Sequence, residues 1–217
     1  MKDTLSILLV DDHPMTLEGY KNTLLQEDGL NLSIETAENS DSALSKIRHT
    51  GKHYDVIFLD IQIPPSSKGN ILSGEDLGLH IREACPNTKI VIITMFTENI
   101  RIRNIIRNVN PNAFLIKSEV IAAELLKALK SVIKGKEYYS KTVRRLRSQN
   151  RDSILDDIDR QIIYQLSKGT KTRNLVHYIP LSLGAIEKRK RKIKEAFEIE
   201  KGGDREVLDK AKKLGFL

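Results

Sequence analysis

Residues 7–14 read ILLVDDHP: four apolar residues run directly into two aspartates and a proline. Too short for a membrane span or a stable lone helix, the run has the length and branching of a strand covered on both faces. Three further stretches repeat the design. DVIFLDIQIP at 55–64 ends its apolar run on Asp60, IVIITMFT at 90–97 on Thr94, and AFLIKSE at 113–119 on Lys117. With Leu32–Ala37 these make five expected strands: Leu5–Val10, Leu32–Ala37, Val56–Leu59, Ile90–Ile93 and Ala113–Ile116.

Between the strands lie helical patterns. Ile102, Ile105, Ile106 and Val109 recur at spacings of three and four, as do Ile121, Leu125, Leu129 and Val132 behind Ser118 as the expected cap. Five alternating β-α units predict an α/β fold with a doubly wound five-stranded parallel sheet. Strands stop after residue 140. Residues 141–153 are polar, hold five positive charges and read as a linker. Four helical patterns follow in 154–217, a small all-α unit: Asp156–Ser167, Lys171–Tyr178, Ser182–Glu198 and Asp204–Leu214. Gly169, Pro180 and Gly202–Gly203 punctuate them.

In an open α/β sheet, ligands collect where strands end. Asp11, Asp12, Asp60, Thr94 and Lys117 therefore converge on one edge. Three carboxylates there resist joint ionisation unless a cation compensates them. Oxygen donors without a His or Cys cluster favour a hard ion, Mg²⁺ where phosphate oxygens complete the shell. A carboxylate can act as nucleophile toward phosphorus, with Lys117 and the metal neutralising the transferring oxygens.

These five residues, at four strand ends, resemble the signature of response regulator receiver domains, the CheY/flavodoxin-like fold, over residues 4–140. The resemblance implies that Asp60 accepts a phosphoryl group from a sensor histidine kinase. It implies that Asp12, Asp60 and the Gln62 carbonyl bind Mg²⁺, with Asp11 acting through water. Lys117 and Thr94 would meet the phosphoryl oxygens, Phe114 would be the aromatic switch, and Pro64 also fits. His13 is frequent beside such acids without being a ligand. Two departures stand out. Nine residues, PSSKGNILS at 65–73, separate Pro64 from Gly74 where the family has about three, either a gate at the site or a tolerated surface insertion. Met95 replaces a common Ala, and a longer side chain there is expected to narrow the approach to Asp60.

The chain's net charge of +7 is uneven. Residues 1–140 carry 16 Lys/Arg against 18 Asp/Glu, and residues 141–217 carry 20 against 11, so a polyanion would be met by the second part. KRKRKIK at 188–194 puts six positive charges in seven residues, at spacings that oppose helix formation unless an anion relieves them. Ile186, Ile193 and Phe197 keep one face apolar, and Ser182 is the expected N-cap. Helix, turn through Pro180, helix is a helix-turn-helix.

The order of elements resembles the LuxR/NarL-type DNA-binding domain, from acidic Asp156–Asp159 through LSKGT at 166–170 to AKKLGFL at 211–217; GKEYYS at 135–140 resembles that family's junction. The resemblance implies that Lys188 and Arg191 reach base edges of double-stranded DNA. It implies that Arg189, Lys192, Lys194 and Thr172 hold phosphates; Ser182, as N-cap of the helix, suits phosphate contact at its N-terminus, and a homodimer is expected on phosphorylation or on DNA. Glu187, where relatives carry Lys, departs from the pattern, as do Ala185, Arg189 and Asn174. A helical protein-binding output is the alternative.

A phosphatase running through an aspartyl-phosphate is the enzymatic alternative, but its second acid would stand at Gln62. The expected chemistry is confined to phosphorylation and dephosphorylation of Asp60. The N-terminus lacks a signal-peptide pattern and no apolar run spans a bilayer, so a bacterial cytoplasmic location is expected. The one cysteine, Cys85, has no partner for a disulfide and reads as a buried small hydrophobe.

Overall fold

A computed structural model describes residues 4–48, 53–67, 71–147 and 155–217. Contacts divide the chain into two units, 1–95 with 105–148, and 96–104 with 149–217.

The sheet has the strand order β2-β1-β3-β4-β5-β6, with every neighbouring pair parallel. Its members are β1 (Leu5–Val10), β2 (Leu32–Ala37), β3 (Val56–Leu59), β4 (Lys89–Thr94), β5 (Ala113–Ile116) and β6 (Tyr138–Tyr139). The order reverses between β1 and β3, which opens a crevice at their carboxyl ends. Helices α1 (Pro14–Leu25), α2 (Ser40–Arg48), α3 (Gly74–Ala84), α4 (Asn99–Val109) and α5 (Ala122–Ile133) connect the strands. Alternation along the strands sends Ile7, Leu9, Val56, Phe58, Val91, Ile93, Ala113 and Leu115 into one core with Leu17 and Leu24 of α1 and Leu125, Ala128, Leu129 and Val132 of α5. The intervening residues, Leu8, Val10, Ile57, Leu59, Ile92 and Phe114 among them, are equally buried, which is why these strands read as continuous apolar runs.

Four details correct the sequence reading. The sheet has six strands rather than five, because Tyr138–Tyr139 adds to the β5 edge in register with Ala113 and Phe114. The expected linker begins instead with a helix, α6 (Lys141–Arg147), whose Val143 and Leu146, three apart, are buried; residues 148–153 lie outside the described residues. Ser118 does not cap α5. It sits in a 3-10 turn, Lys117–Glu119, and α5 starts after Ile121 without a side-chain cap. Cys85, expected buried, is half-exposed at the C-cap of α3.

The second unit contains α7 (Asp157–Ser167), α8 (Leu183–Ala196) and α9 (Asp204–Lys213). Ile162, Ile163, Leu166, Leu175, Ile186, Ile193 and Phe197 form its core, and Val207 and Ala211 of α9 belong to it. The second expected helix, Lys171–Tyr178, is a 3-10 helix over Thr172–His177, so the helix-turn-helix enters α8 from a tightly wound segment. Its backbone bonds, such as Asn174 to Lys171 and Tyr178 to Leu175, run at three-residue spacing.

Candidate phosphoacceptor site and basic helix

At the crevice the acids meet one ammonium. Lys117 Nζ lies 2.6 Å from Asp60 Oδ2 and 2.7 Å from Asp11 Oδ2, and both carboxyls are almost wholly buried. Lys117 opens the 3-10 turn that follows β5. The Gln62 amide donates to Asp60 Oδ1 at 3.1 Å. Burial pushes the Asp60 carboxyl above its ordinary value, and Lys117 and Gln62 only partly pull it back. For Lys117, burial is the largest single influence and pushes downward, but Asp11 and Asp60 together raise the ammonium above its ordinary value.

Asp12 is more open than its neighbour. Its Oδ1 is enclosed without a hydrogen bond, 2.7 Å from His13 Nδ1 in an alignment that does not make one. The Asp11 Oδ1 atom accepts from the His13 amide at 3.0 Å and lies 3.2 Å from Nδ1. One ligand atom from each of Asp11, Asp12 and His13 falls within 4.8 Å of the others. Three carboxyls against one lysine, with an enclosed oxygen left unbonded, fit a hard divalent cation such as Mg²⁺. Asp11, Asp12, Asp60 and the Gln62 carbonyl supply only oxygens; His13 lies against the acids with its ring largely in solvent.

Of the other residues expected here, Thr94 is fully buried at the end of β4 and Phe114 fully buried in β5, beside the added strand. Met95, the residue after Thr94, is 57% exposed. The insertion is pinned at its ends. Ser66 and Ile71 bond to each other's segment, Ser67 N donates to Asp41, and Leu72 N to Asp76; residues 68–70 lie outside the described residues. Gly74, the residue to which the insertion leads, is required by space: a Cβ there would lie 1.9 Å from the Asp60 carbonyl oxygen. No charge pattern marks it; only the backbone packing does.

In the second unit, Ser182 caps α8 as expected, accepting from Ala185 N at 3.3 Å. The six cations of α8 do not share one fate. Arg189 Nη1 lies 2.7 Å from each Asp156 carboxylate oxygen and 2.9 Å from Asp159 Oδ1, and Lys192 Nζ lies 2.7 Å from Asp159 Oδ2. Asp156 and Asp159 also form a reciprocal capping box at the start of α7. Burial pushes Asp156 up, but Arg189 and the box hold it below the usual carboxylate range. On the other flank Lys190 meets Asp204 at 2.7 Å and Thr172 Oγ1 at 2.6 Å, and Lys194 donates to the Gly202 carbonyl. Thr172, Arg189, Lys192 and Lys194, expected on phosphates, are thus engaged within the unit. Lys188 and Arg191 are exposed and form no ion pair among the described residues. With Arg189, Lys192, Ala185, Leu181 and Glu195 they line a concave surface of about 730 Å³.

Residues 7–130, more than half of the chain, match the response regulator receiver domain family, and the chain belongs to it. Beyond that domain the chain carries a helix-turn-helix unit. The oxygen regulatory protein NreC of Staphylococcus aureus is 23% identical over 200 residues, 86% of this chain and 88% of that protein. Among solved structures, RcsB from Salmonella enterica serovar Typhimurium, bound to promoter rprA in the presence of phosphomimetic BeF3-, superposes with a TM-score of 0.68 at 19% identity. The match covers 96% of this chain and 98% of that one. The isolated receiver domain of RcsB matches with a TM-score of 0.56 at 24% identity, covering 66% of this chain and 98% of that one. No helix among the described residues is long and apolar enough to cross a membrane.

Proposed function

We propose that this chain is a transcription regulator switched by phosphorylation of Asp60. The observation that carries the reading is Lys117 Nζ seated between Asp60 and Asp11, at a strand-end crevice where the remaining acids call for a metal. A carboxylate oxygen of Asp60 attacks the phosphorus of a kinase phosphohistidine. An O–P bond forms, the P–N bond breaks, and the imidazole leaves as the neutral ring once protonated. Asp11, Asp12, Asp60 and the Gln62 carbonyl would hold Mg²⁺, which when bound supplies positive charge against the phosphoryl oxygens. Lys117 supplies the protein's own, and Thr94 closes on an oxygen. The transferred charge biases the surface around Phe114 between two arrangements. Residues 1–140 act as receiver and 154–217 as output.

The output reading is duplex DNA. Lys188 and Arg191, both exposed on α8, would reach base edges, and Ser182 with the first amides of α8 a phosphate. The inward ion pairs of Arg189, Lys190 and Lys192 orient α8 rather than meet DNA first. The oligomer expected on phosphorylation or on DNA is a homodimer reading two half-sites about one helical turn apart. A bacterial cytoplasmic setting completes the reading.

Two experiments test it. Incubation with Mg²⁺ and a small acyl phosphate should add a phosphoryl group detectable by intact mass, and Asp60→Asn should not label; equal labelling refutes the site. Retention on duplex DNA should fall steeply with salt, and a flat response refutes the DNA output.

A further inference from the structure

A second basic surface lies in the first unit, at the end nearest the helix-turn-helix in sequence. Residues 1–133 hold 14 Lys/Arg against 17 Asp/Glu. The next fourteen, 134–147, hold six against one. All six cations, Lys134, Lys136, Lys141, Arg144, Arg145 and Arg147, are exposed.

They stand on a built platform. Strand β6 pairs with β5, Ser140 N donates to the Phe114 carbonyl, and Val143 and Leu146 bury one face of α6. Thr142 ties the start of α6 to Glu119 through both its amide and its hydroxyl. The nearby acids are largely committed: Glu119 to Thr142, Glu124 to the Tyr138 hydroxyl and Lys127, and Glu137 to Arg147 at 2.9 Å. A docked helix that turns arginines to solvent beside satisfied acids has the charge of a polyanion contact.

We infer that the exposed face of α6, with Lys134 and Lys136, binds the phosphate backbone of the same duplex that α8 reads, flanking the specific site. This rests on the DNA reading above. Chain reach permits it: eight Cα steps join Arg147 to Leu155, at most about 28 Å, the rise of about eight base pairs. Contacts to phosphates carry no sequence information, so this contribution is independent of sequence.

The test uses the full chain and two duplexes carrying the sequence it selects from a random pool. One ends at the edges of that site, and the other extends about one helical turn beyond each edge. Wild type should show a salt dependence steeper by about two on the longer duplex, at about 0.9 per phosphate engaged. The variant Lys141→Ala/Arg144→Ala/Arg145→Ala should lose that increment, bind the longer duplex on the order of tenfold more weakly at low salt, and match wild type on the shorter one. The conservative pair Arg144→Lys/Arg145→Lys should retain the increment, and unchanged circular dichroism excludes unfolding. Equal slopes for wild type and triple variant on the longer duplex overturn the inference. So does an acidic protein partner that depends on the same residues while DNA binding does not. Failure of wild type to bind either duplex overturns the DNA reading itself, and this inference with it.

Discussion

Asp159→Asn is the most informative single change in the second unit, because charge counting and the geometry give opposite expectations for it. Removing an acid from a basic DNA-binding unit should, by charge alone, only help. Asp159 is 0% exposed, however, and one carboxylate faces three donors: Arg189 at 2.9 Å, Lys192 at 2.7 Å and the Asp156 amide at 3.1 Å. An asparagine whose oxygen stands at the Oδ2 position still accepts from Lys192 and the Asp156 amide, but it carries no charge and turns its NH₂ toward Arg189. Removing one partner of a fully buried pair costs about 3–5 kcal/mol. Arg189 keeps Asp156 and Lys192 is half in solvent, so we discount that to about 2 kcal/mol. In native-state hydrogen exchange on the full chain, 2 kcal/mol corresponds to protection in α7 and α8 falling about thirtyfold. Peptides of β1, β3 and α5 should hold their rates as internal controls. The freed Arg189 and Lys192 should steepen the salt dependence on non-specific duplex by about one to two, while specific binding weakens as α8 loses its orientation. A double-mutant cycle with Arg189→Met should show coupling of about 1 kcal/mol or more. Unchanged α8 protection together with near-zero coupling would refute the claim that these ion pairs hold the helix.

Gly74→Ala should destabilise the receiver by about 3 kcal/mol or prevent its folding, since the new methyl meets a backbone oxygen that cannot swing aside; chemical denaturation measures it, and a loss under about 1 kcal/mol argues against the close backbone approach at Gly74. Lys117→Met leaves Asp60 and Asp11 buried without their cation. Its melting temperature should fall at neutral pH, and the deficit should shrink as pH drops toward the Asp60 carboxyl's raised value, where that carboxyl gains its proton. Burial pushes Tyr20, Tyr54 and Tyr138 up to about 12, with a hydrogen bond to Glu124 adding to the rise at Tyr138. Since their folded values exceed the unfolded one, the stability they contribute is complete below about pH 10 and lost as pH climbs through that window toward 12. An ultraviolet titration should show these phenols ionising late and together with unfolding; ionisation near 10 in the intact protein would contradict the burial.

The sheet and its acidic edge were legible because their signals are local. A central parallel strand is a short apolar run whatever surrounds it, and the residue after the run lies at the sheet's edge by construction. Four such runs put Asp11, Asp12, Asp60, Thr94 and Lys117 at one edge of the sheet. The core face of α8 was legible for the same reason, from Ile186, Ile193 and Phe197. Less was legible where a short element depends on a neighbour. Tyr138–Tyr139 is a strand only because β5 offers an unpaired edge, and Lys141–Arg147 is a helix only because two apolar side chains find cover.

Charge is where tertiary structure had the larger say. By charge alone, KRKRKIK is six equivalent cations. In the fold, Asp156 and Asp159 arrive from some thirty residues away to bind Arg189 and Lys192, and Asp204 from the other side binds Lys190. Lys188 and Arg191 remain exposed at the concave surface. Likewise, that Lys117 bridges Asp11 and Asp60, and that Gly74 must lack a side chain, follow from distances across the sheet edge. Hydrophobic periodicity is written along the chain, because secondary structure imposes it residue by residue. Which charge meets which is set by the packing of distant segments.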